Sequence, residues 1–62
     1  MNKSEQREVH KLECFHAVGV DAGVLARSLS ALIRASMTKR SRAALLEYAD
    51  VFGVRNHPEF II

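Results

Sequence analysis

A chain of 62 residues, 48% hydrophobic and 26% charged, has room for one domain, and its single cysteine excludes a disulfide within the chain. Ordering costs about 1.5 kcal/mol per residue, roughly what apolar burial returns at this size, so tight helix packing or a second copy of the chain is expected to supply the difference. The formal charge of +2 hides a strong order. Residues 1–21 carry three bases and four acids, residues 22–46 carry five bases and no acid, and residues 47–62 carry one base and three acids. A basic middle lies between acidic ends.

The longest uninterrupted apolar run is Ala43 to Leu46, far short of a membrane span, and Lys3, Glu5, Arg7 and Glu8 stand where a signal peptide needs apolar residues. A cytoplasmic protein with no membrane association is the expectation. No repeat or low-complexity tract interrupts the chain, and residues 1–62 are read as one small helical domain.

The first predicted helix spans about residues 4–18, with Val9, Leu12, Phe15 and His16 on one side and Ser4 at its start. The second spans residues 22–35 behind Asp21, a good N-cap. At 100° per residue Ala22, Leu25, Leu29, Leu32, Ile33 and Ser36 form a stripe, with Val24, Ala31 and Ala35 beside it and Gly23, Arg27, Ser30 and Arg34 opposite. That arc is wider than one neighbour requires, which makes this helix central, between the other two or across a dimer interface. The third spans about residues 39–52, stacking Ser41, Leu45, Tyr48, Ala49 and Phe52, with Leu46 and Val51 flanking. Gly53 is placed to end it in the left-handed conformation, with Val54 supplying the apolar contact of a Schellman motif. Residues 54–62 are expected to run extended, and the Phe60-Ile61-Ile62 ending either covers a gap in the core or docks on another chain. The fold class is therefore all-α: a three-helix bundle with an extended C-terminal tail, packed as a homodimer.

Arg27, Arg34, Lys39, Arg40 and Arg42 form the basic band. Lys39, Arg40 and Arg42 fall in the first turn of the third helix, where the dipole disfavours cations. A bound anion would relieve this, held by free backbone N–H groups and the hydroxyls of Ser36, Thr38 and Ser41. The same cations also close the second helix, where they are favoured.

The stretch from Cys14 to Arg27 resembles the middle of a helix-turn-helix, with Gly19-Val20 as the turn and Asp21 capping the recognition helix. On that resemblance Gly23, Arg27, Ser30 and Arg34 line the exposed side of a groove-reading helix. The stretch departs from the motif at bulky Phe15, at polar Ser28, and in the short chain preceding Glu8.

His10 and Cys14 share a helix face at i,i+4, but a structural zinc site wants four ligands in paired motifs, and none is present. Cys14 also lacks the orienting third group and the oxyanion-hole signature of a nucleophile. Glu47 and Asp50, three residues apart on the outer face, read as a solvated surface. No cofactor, metal or catalytic residue is assigned. The expected function is a non-enzymatic binding or regulatory protein that presents a helical surface to a macromolecule, self-associating or bound to a protein partner. The interface candidates are Leu25, Leu29, Leu32, Ile33, Phe60, Ile61 and Ile62. The alternative is a nucleic-acid-binding regulator using residues 27–42.

Overall fold

The computed structural model describes residues 3–62; Met1 and Asn2, included in the expected domain 1–62, lie outside the described residues. Three helices follow one another, α1 (Lys3–Ala17), α2 (Ala22–Ala35) and α3 (Lys39–Val51), with no strand among the described residues. The all-α expectation is met, with boundaries within one residue of those read from the sequence.

Local chemistry sets each boundary. Both α1 and α3 end in Schellman motifs. At the first, Gly19 (φ 83°) donates to the His16 carbonyl and Val20 to that of Phe15. At the second, Gly53 (φ 72°) donates to the Asp50 carbonyl and Val54 to that of Ala49. Val54 and Ala49 are both fully buried, which supplies the apolar contact the motif favours. The Asp21 carboxylate accepts from the Gly23 N–H at 2.9 Å and opens α2, and the Thr38 hydroxyl accepts from the Ser41 N–H at 3.0 Å and opens α3.

α2 is the central element, packed by α1 on one side and α3 on the other. Leu25, Ala26, Leu29 and Ile33 from α2, Val9 and Leu12 from α1, Leu45 and Ala49 from α3, and Phe52 and Val54 beyond it form one continuous core. α1 buries only two side chains, Val9 and Leu12. Phe15, expected on its inner side, is 37% exposed. The end of α1 is instead held by ring contact: the His16 and Phe52 centroids lie 5.2 Å apart, and Phe52 in turn meets Tyr48 at 5.7 Å.

The tail does not run extended. Val54 to His57 forms one hydrogen-bonded turn and His57 to Phe60 a second, closed by N–H to carbonyl bonds of 2.9 Å each. Pro58 occupies the second position of the latter turn, where its fixed φ is preorganised. The His57 ring adds an acceptor, Nδ1 taking the Glu59 N–H at 3.0 Å. These turns fold the chain back onto α2, bring Phe60 against the core, and place the Ile61 N–H on the Ser30 hydroxyl at 2.9 Å.

The face assigned to solvent on α2 is corrected as a result. Gly23 and Ser30, read as lying opposite the apolar stripe, are buried under the tail, and the buried arc sits about 50° round the helix from the apolar stripe. A Cβ at Gly23 would lie 2.8 Å from the Asp21 carboxylate, 3.6 Å from the His57 ring and 3.8 Å from the Glu59 side chain. The close approach of the Asp21 cap is what demands glycine here, and the tail lies beyond it at ordinary contact distance. The buried arc of α2 is shared within one chain by α1, α3 and the tail, while Ala22, Ala31 and Ala35 of the apolar arc stay exposed.

Candidate functional site

The five cations of the basic band do not share one face. Arg40 and Arg42 are two residues apart on α3 and so point about 160° from one another. Arg27 lies 3.8 Å from Glu59, so the folded-back tail supplies it with a counter-charge. Lys39 and Arg40 are exposed in the first turn of α3 with no acidic group within 4.0 Å among the described residues.

Arg34 and Arg42 do come together. Both line an open depression of about 390 Å³ where the end of α2, the start of α3 and the tail meet, with Ile33 and Ile62 completing its lining. Arg42, although it belongs to α3, reaches back to the end of α2, its guanidinium donating to the Ser36 carbonyl at 3.4 Å. That contact relieves Arg42's share of the charge conflict at the start of α3, because this cation sits against the negative end of α2's dipole. Arg34 is in the last turn of the same helix and benefits likewise. Neither guanidinium has an acidic partner within 4.0 Å among the described residues.

The remaining sequence-assigned interface residues divide by depth. Leu25, Leu29 and Ile33 are buried in the chain's own core, with Leu32 and Phe60 half-buried against it. Ile61 and Ile62 are about 60% exposed and extend an apolar surface from the edge of the depression. A second shallow depression, about 340 Å³, lies along α3 between Ala44, Glu47, Tyr48 and Val51. It has no cationic lining residue.

Comparisons of the chain with protein-family models, with curated proteins and with solved structures find no match in any of the three. The geometry is therefore the guide to function. The Cys14 thiol lies 3.9 Å from His10 Nε2 on the exposed side of α1, and no group of three or more His, Cys, Asp or Glu able to hold a metal forms among the described residues. No helix among the described residues is long and apolar enough to cross a membrane.

The sequence reading missed Ser30, which bonds the tail, and Gly23, which the tail covers at ordinary contact distance. A signal was present. Gly23, Ala26 and Ser30 recur at helical spacing and leave a groove of small side chains along α2, wide enough for a second segment of backbone.

Proposed function

We propose that this protein is a non-enzymatic binding protein that presents the junction of α2, α3 and the tail to a macromolecular partner. The observation that carries this reading is the convergence of Arg34 and Arg42, neither facing an acid, on a depression floored by Ile33 and edged by Ile62. Arginine beside apolar side chains is the composition of protein interfaces, where the guanidinium supplies directional hydrogen bonds and the aliphatic surface supplies desolvation.

The alternative, a nucleic-acid regulator using residues 27–42, has less support. A phosphate backbone calls for cations along one track, whereas Arg27 is paired with Glu59 and Arg40 diverges from Arg42. The tail also covers Gly23 and Ser30, on the helix face that a groove-reading α2 would present. A homodimer would rest on exposed side chains such as Val18, Met37, Val51, Ile61 and Ile62, because Leu25, Leu29 and Ile33 of the α2 arc are buried within one chain.

The test compares proteins retained from a lysate by the immobilised wild-type chain with those retained by Arg34→Glu and by Ile62→Asp. Selective loss of the same proteins from both variants is the expected result. Identical retention by all three chains would sink the reading.

A further inference from the structure

We infer that the Arg34–Arg42 depression is a recognition site for an acidic peptide, a Glu or Asp side chain flanked by an apolar residue, an inference that rests on the binding role proposed above. Charge complementarity selects this occupant. Residues 22–46 contain five bases and no acid, and the tail neutralises only Arg27, leaving Arg34 and Arg42 as uncompensated guanidiniums at the edge of one depression. Arg34 has no hydrogen bond or ion pair to another described residue, so all its donors are free for a ligand. Arg42 spends one terminal nitrogen on the Ser36 carbonyl, a bond that anchors the guanidinium and leaves its other donors available. An anchored arginine loses less side-chain entropy on binding than a mobile one.

The planar fork of arginine matches a carboxylate with two parallel N–H to oxygen bonds. The exposed Ile62 side chain, with Ile33 beneath it, makes no hydrogen bonds and rewards an apolar neighbour on the peptide. A nucleic-acid phosphate matches the guanidiniums but finds nothing to pair with the isoleucines. The combination therefore favours a peptide in which charge and aliphatic surface alternate.

The experiment uses the whole chain and dye-labelled synthetic peptides. The probe is a peptide of alternating Glu and Leu; its controls are the same peptide with Gln for Glu, the same with Ser for Leu, and a short duplex DNA. The expected result is saturable anisotropy with the Glu–Leu peptide, weakened at least about tenfold by either peptide change and by Arg34→Glu. Backbone NMR shifts on binding are expected to cluster at Ile33, Arg34, Arg42 and Ile62. Arg34→Glu carries the argument because Arg34 has no partner whose loss would unfold the chain; Arg42→Lys, which keeps charge but removes the fork, is expected to weaken binding while leaving the circular dichroism spectrum unchanged.

Equal binding of the Gln–Leu peptide, absence of binding by the Glu–Leu peptide, tighter binding of the duplex, or shifts centred on another surface would each overturn the inference. If the peptide fails while the lysate proteins are still lost from Arg34→Glu, the peptide chemistry alone is wrong. If both fail, the binding role falls with it.

Discussion

The Ile61 N–H donates to the Ser30 hydroxyl at 2.9 Å, and the same hydroxyl donates to the Ala26 carbonyl at 2.7 Å, joining residues 31 positions apart through one buried oxygen. Ser30 therefore acts in two ways. It satisfies its own donor within α2, as serines in helices do, and it offers one of its two lone pairs to the returning tail. Alanine at this position keeps the helix and removes the tail's anchor. Ser30→Ala is expected to cost about 1 kcal/mol and to abolish slow hydrogen exchange at the Ile61 amide while leaving the α2 amides protected. Unchanged Ile61 exchange would show that packing of Phe60, rather than this bond, holds the tail.

Glu59→Gln gives the contrasting result. The Arg27–Glu59 pair is 3.8 Å long with side chains 61% and 45% exposed, so solvent screens most of its attraction. Stability in urea is expected to change by less than about 0.5 kcal/mol. A larger loss would mean that the ion pair, and not Ser30, fixes the tail.

The two left-handed glycines lend themselves to a matched pair of substitutions. No atom lies within 4 Å of a Cβ built at Gly19 or Gly53, so the cost of Gly19→Ala and Gly53→Ala is that of the positive φ alone. Each is expected to lose about 1–2 kcal/mol, read as a shift in the urea midpoint. A neutral result at either would imply that its helix ends differently in solution.

Leu29 sits fully buried at the centre of α2, where the three-sided packing converges. Leu29→Ala is expected to cost about 2–5 kcal/mol, against a total stability of roughly 3–9 kcal/mol for a chain of this length. The variant should melt at a clearly lower temperature than the parent by circular dichroism. A loss below about 1 kcal/mol would mean that the small core relaxes around the cavity.

Periodicity and caps alone placed three helices, because their signals are local. Asp21 and Thr38 bond backbone two and three residues away, Gly53 supplies a conformation that other residues resist, and the leucine stripe of α2 needs no knowledge of what covers it. The candidate site was legible only as a list of cations. Sequence order cannot say which of five bases share a site, since Arg34 and Arg42 line one depression at the α2–α3 junction while Arg40, nearer to Arg42 in sequence, turns away.

The tail marks the boundary between the two kinds of information. Its turns are written locally, in Pro58 and in the hydrogen bonds from Val54 to Phe60, yet the sequence reading left the segment extended. Its destination depends on contacts with Gly23 and Ser30, residues 31 or more positions away from the tail segments they meet, and on a hydroxyl that can accept a bond only when another backbone arrives. Sequence by itself determined where this protein is helical and how each helix starts and stops. Tertiary structure decided which polar residues of α2 are interior and which cations lack counter-charge, because each of those depends on contacts between segments far apart in the chain.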